Sequence, residues 1–82
     1  MKIEDIKVSF AKASLLIRKP SEGEWLELAI YAKANGDCMN TVRINQDELT
    51  NDFVGDIYMQ CEGQKPFYKE LKQLAMLIQS AF

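Results

Sequence analysis

The chain contains no histidine. That absence removes Ser-His-Asp and Cys-His nucleophilic machinery, and with it the usual general base near neutral pH. Cysteine is scarce, with Cys38 and Cys61 alone. Two thiols without a histidine do not complete a zinc site. Both read as small apolar core residues kept reduced, with a disulfide as the alternative. The glycines Gly23, Gly36, Gly55 and Gly63 are isolated from one another, so there is no glycine-rich loop to cradle a phosphate. No apolar run approaches the roughly 20 residues of a membrane helix. The start, Met1-Lys2-Ile3-Glu4-Asp5, is charged and builds no apolar leader segment. A cytoplasmic location is the expectation. Positive charge is short in the middle of the chain, where Arg43 alone faces Asp37, Asp47, Glu48, Asp52, Asp56 and Glu62.

The 82 residues, 48% of them apolar, are read as a single domain over 1–82. A chain of this size buries only about 60% of its unfolded surface, so its core is marginal unless shared with a second subunit. The net charge of −2 argues against nucleic acid as a partner, because neutralising phosphates requires a basic field.

Periodicity predicts four strands followed by a helix. Ile6, Val8 and Phe10 alternate with polar residues, then Leu15 and Ile17 continue in the opposite phase. A strand segment over about Ile6 to Arg18, with a bulge or kink near Ala11 to Ser14, accounts for the slip. Pro20-Ser21-Glu22-Gly23 reads as a turn. Trp25 to Lys33 is the clearest strand, with Leu26, Leu28, Ile30 and Ala32 on one face. Trp25 and Tyr31 lie on the other, either as interface anchors or beneath a cover supplied by the first segment.

Cys38 to Asn45 follows as the third strand. A three-residue loop, Ala34-Asn35-Gly36, sets Leu28 opposite Val42, Leu26 opposite Ile44 and Lys33 opposite Asp37, with Gly36 in the left-handed conformation. Asn45 to Asn51 has capping-box spacing and room for one or two helical turns. Phe53, Ile57, Met59 and Cys61 share one phase and read as a fourth strand, with Gly55 marking a bulge or an edge. Pro66 then opens a helix whose apolar stripe is Phe67, Leu71, Leu74, Ile78 and Phe82. The expected fold is α+β, an antiparallel meander of about four strands with one C-terminal helix on one face.

Three groups of residues are candidates for function. Asp47, Glu48, Asp52 and Asp56 form a carboxylate cluster suited to docking on a basic protein surface, with Tyr58 as its anchor. The plain alternative is a solvated polar loop. Met76, Leu77 and Phe82 exceed what one sheet face covers and are candidates for a homodimer contact. Glu24 with Glu27, and Asp52 with Asp56, resemble catalytic pairs only by proximity, since nothing places either in a cavity. The spacing Asp47-x4-Asp52-x3-Asp56 does not match a calcium loop. The expectation is a protein that is not an enzyme and takes no cofactor or metal.

The Trp-led strand Trp25-Leu26-Glu27-Leu28-Ala29-Ile30, the Asn35-Gly36 hairpin, the acidic connection and the closing helix Phe67-x3-Leu71-x2-Leu74-x3-Ile78 resemble small bacterial immunity proteins of polymorphic-toxin systems. These include the contact-dependent inhibition and Maf-type systems. The resemblance spans Ile6 to Phe82. It implies a cytoplasmic, non-enzymatic protein that binds and neutralises a cognate toxin, often a nuclease, with the acidic cluster meeting the toxin's basic cleft. Two other readings stand beside it: a phage-encoded inhibitor that mimics nucleic acid, and a small assembly subunit acting through homo-oligomerisation.

Overall fold

Alternation of apolar and polar residues dictates the sheet. The computed structural model describes residues 5–20 and 23–82. It has strands β1 (Ile6–Ser9), β2 (Ala13–Arg18), β3 (Trp25–Ala32) and β4 (Cys38–Asn45), then a 3-10 turn (Gln46–Glu48) and helices α1 (Asn51–Glu62) and α2 (Tyr68–Ser80). The strands form one antiparallel sheet in the order β1-β2-β3-β4. The α+β class and the four-strand meander agree with the sequence pattern. Two helices are present among the described residues, where one was expected. None is long and apolar enough to cross a membrane. The turn expected at Pro20 to Gly23 includes residues 21 and 22, and the charged start includes residues 1–4; these lie outside the described residues.

The phase break in the first segment is a chain reversal, not a bulge. Ile6 pairs with Ile17 and Val8 with Leu15, and the Phe10 N–H donates to the Ala13 carbonyl at 3.0 Å. In this register every even residue of β1 meets an odd residue of β2. The reversal thus puts both phases on the same face.

The β3–β4 register follows the expected pairing from Leu26 opposite Ile44 to Leu28 opposite Val42. A shift between Ile30 and Tyr31 then changes the end of the hairpin. Asp37 lies opposite Ala32, whose N–H donates to its carbonyl at 2.9 Å, so the expected Lys33–Asp37 pairing does not form. Lys33 instead turns toward the β1–β2 hairpin. Its N–H donates to the Lys12 carbonyl and its ammonium to Ser9 Oγ. Gly36 does take the left-handed conformation, at φ 76°.

The expected fourth strand is α1. Phe53, Ile57 and Cys61 are four apart, a spacing that fits a two-residue period and a helical one equally well. Burial separates the two. Val54, Ile57, Tyr58 and Cys61 are buried, which is one helical stripe, whereas Met59 is 42% exposed. The ends carry helix signals. Thr50 Oγ1 accepts from the Phe53 N–H at 3.2 Å, and Gly63 closes the helix at φ 81°, its N–H bonded to the Met59 carbonyl at 2.8 Å. Helix α2 begins at Tyr68, not Pro66, with Phe67 as its N-cap. Phe67 therefore leaves the expected stripe and stands 76% exposed.

One core joins the layers. Ala13, Leu15 and Ile17 of β2, Leu26, Leu28 and Ile30 of β3, and Ile44 of β4 share it with Val54, Ile57, Tyr58 and Cys61 of α1 and with Leu74, Ile78 and Ala81 of the α2 segment. Truncating Ile57 to Ala should cost about 2–5 kcal/mol, whereas Met59→Ala should change stability by about 0.5 kcal/mol or less. Urea denaturation of the two variants measures this. Comparable losses would restore the strand assignment.

Candidate partner-binding surface

The four carboxylates chosen from the sequence lie on the 3-10 turn and the start of α1. Asp47, Glu48, Asp52 and Asp56 are all exposed. Glu48 also has a structural task. Its Oε1 accepts from the Asn45 N–H and from Asn45 Nδ2, each at 3.0 Å, which holds the turn where β4 ends. Asp47 borders an open cleft of about 800 Å³ with Lys19, Glu24, Asn45, Gln46 and Phe82. Asp52 and Asp56 sit one turn apart on the side of α1 opposite its buried stripe.

Among the described residues no base pairs with this set. Among the described residues the ion pairs are Arg18–Asp5, at 3.4 Å, and Arg43–Glu27, at 3.8 Å. None of the four carboxylates takes part. Of the other acids of the middle segment, Glu62 is used locally, its Oε2 accepting from the Ala11 N–H at 2.8 Å. Asp37 engages only through its backbone N–H, which donates to Asn35 Oδ1 at 3.0 Å, and its carboxylate takes part in neither ion pair. No three of His, Cys, Asp and Glu among the described residues come together to hold a metal ion.

Tyr58 is not a surface anchor. Helical phase turns it inward, where it is 6% exposed and meets Phe10 edge-on with ring centroids 5.6 Å apart. Its hydroxyl donates to Glu70 Oε2 at 2.9 Å. The same oxygen accepts from the Phe67 N–H at 3.2 Å, so Glu70 ties α1 to the start of α2. The sequence held one signal for this role, since Glu70 stands three residues after the N-cap Phe67. The hydrogen bond to Glu70, burial, and the nearby charges of Glu70 and Glu62 raise the Tyr58 pKa above 10.0.

The dimer candidates separate. Leu77 and Phe82 are partly buried and packed against the core, whereas Met76 is 61% exposed. Tyr68, one residue beyond the N-cap, is 77% exposed. Trp25 is neither in the core nor bare. The Arg43 guanidinium lies 4.6 Å from its ring centroid, and the indole covers Gly23 so closely that a Cβ there would collide with Nε1. The first segment does not cover this outer face, because both of its strands lie within the sheet.

The two cysteines differ. Cys38 is exposed, contrary to the core role expected for it, and Cys61 is buried; both are free thiols. Burial, helped by the charge of Glu62, pushes the Cys61 thiol up to about 11 from 9.0. A disulfide reagent should therefore modify Cys38 rapidly and Cys61 only on unfolding, as read by the number of thiols released with and without denaturant. Two rapid thiols would refute the burial of Cys61. The raised pKa values also fix a pH dependence. The fold favours the neutral forms of Cys61 and Tyr58, so their contribution is complete below the unfolded pKa values and is lost as pH rises through the folded ones. Urea stability should fall between pH 9.0 and about 11, and fall less steeply in Cys61→Ala. Equal slopes for the two proteins would exclude the thiol as a cause.

Comparison with known proteins returns nothing: no family model, no curated protein and no solved structure matches the chain.

Proposed function

We propose that the protein is a binding module that neutralises a basic protein partner, as an immunity protein neutralises a nuclease toxin. One observation carries the reading. Asp47, Glu48, Asp52 and Asp56 are exposed together on the 3-10 turn and α1, and no lysine or arginine among the described residues pairs with them. A surface left negative in this way attracts a basic cleft at long range and orients it during encounter. The carboxylates of Asp47, Asp52 and Asp56 supply charge and make no hydrogen bond to any other described residue. Glu48 serves the docking surface and its own turn at once. In this reading the protein acts by occupying the partner's substrate cleft and needs no catalytic group of its own. The fold buries Tyr58, so the contact relies on charge and on the exposed Met59 beside Asp56, without that aromatic anchor.

The test compares the wild-type chain with Asp47→Asn/Asp52→Asn/Asp56→Asn as bait in a lysate of the source cells. The wild type should retain a basic protein at low salt and release it near 1 M salt, where the Debye length is about 3 Å. The captured protein should cleave nucleic acid, and one equivalent of the wild-type chain should stop it. The triple variant should associate roughly tenfold more slowly. Equal capture and equal association rates for the two baits would reject the acidic surface as the docking site.

A further inference from the structure

The outward surface of the two helices is complementary to itself. On α1 the residues opposite the buried stripe are Asp52, Asp56 and Met59. On α2 Lys69, Lys72 and Met76 lie opposite Leu74 and Ile78, and the exposed Tyr68 lies on the flank of that face. One helix thus offers two acids and a methionine, and its neighbour offers two lysines, a tyrosine and a methionine. Among the described residues, four of the five exposed large hydrophobic side chains lie here or at the α2 cap: Met59, Phe67, Tyr68 and Met76. Folding does not require their exposure, since the core is already closed beneath them.

The helices are antiparallel. The carbonyl of Cys61, at the end of α1, accepts from the Lys12 N–H at the tip of the β1–β2 hairpin. The Phe82 carbonyl, just past α2, accepts from Lys19 Nζ at 3.1 Å, at the far end of β2. Helix α1 therefore runs toward the tip and α2 runs away from it, and the Tyr58–Glu70 hydrogen bond and the approach of Leu71 to Gly55 set the middle of α1 level with the first half of α2.

We propose that this surface is the interface of a two-fold homodimer in which α1 of each copy lies across α2 of the other. Charge selects the axis. A two-fold across the helices would set α1 on α1 and bring acids against acids. A two-fold along them sets α1 on α2, with Asp56 facing Lys72 and Met59 close to Tyr68, and repeats each contact twice. Helices about 18 Å long and about 10 Å apart cover less than the roughly 800 Å² per partner of a standard interface. An interface of this size falls in the class of weak, transient contacts, and its reliance on charge makes it salt-sensitive. The proposal does not depend on a basic partner. Where such a partner exists, it competes with the second copy for Asp52 and Asp56.

Sedimentation velocity over a concentration series, at about 50 mM and about 1 M salt, tests it with Asp56→Lys, Lys72→Glu and the double swap. All three positions are exposed, and circular dichroism checks that each variant is folded. The wild type should dimerise at low salt and dissociate at high salt. Each single reversal should weaken the dimer roughly tenfold, and the double swap should restore it. A wild type that stays monomeric at millimolar concentration overturns the proposal. So does a dimer indifferent to salt and to both single reversals, which would place the contact on the outer sheet face or on the free edge of β4.

Discussion

The inner face of the β2–β3 pair has to be covered, and the rest of the molecule follows from that. These two strands are the interior ones of the sheet. Their inward residues, Leu15, Ile17, Leu26, Leu28 and Ile30, are almost completely removed from water. A sheet with one apolar face has to bury that face against another element. Helix α1 supplies the cover with Val54, Ile57 and Cys61, and α2 extends it with Leu74 and Ile78.

A small set of polar contacts fixes how that cover sits. The tip of the β1–β2 hairpin meets the end of α1 through the Ala11 N–H on Glu62 and the Lys12 N–H on Cys61. The Lys12 side chain lies over Gly63, where a Cβ would collide with it. The Lys12 carbonyl accepts in turn from Lys33, so the turn between β3 and β4 joins the same corner. At the other boundary, Glu70 accepts hydrogen bonds from the Tyr58 hydroxyl and the Phe67 N–H and sets α2 beside α1. Carboxylates and backbone groups are satisfied at both places, and among the described residues no buried side-chain nitrogen or oxygen lacks a partner.

Once the inner residues are committed, the outer surface is what remains for recognition. It is divided by sign. Asp52 and Asp56 stand out from α1, with Asp47 and Glu48 just before it, while Lys69 and Lys72 stand out from α2. The acidic side supports a docking role. The two sides together support self-association. Both uses draw on side chains whose exposure contributes little to the stability of the fold.

The α+β class, the β3–β4 pairing from Leu26 to Leu28, the turn after Asn45 and the exposure of the four acids were all legible in the sequence. Each depends on a local period or on neighbours a few residues apart. The largest departures came where one spacing satisfies two geometries. Phe53, Ile57 and Cys61 fit a strand and a helix alike, and the even-numbered Val54 and Tyr58 decide between them only when something packs on that side. The slip between Val8 and Leu15 fits a bulge and a hairpin alike, and the pairing of β1 with β2 decides it. The number of strands came out right because one expected strand proved to be two and another proved to be a helix. Tyr58 moved from the surface to the core for the same reason. The sequence by itself determined which residues are apolar, how they alternate and where the negative charge lies. Only the tertiary structure decided which face each one occupies, because burial depends on what packs against a residue and not on the residue alone.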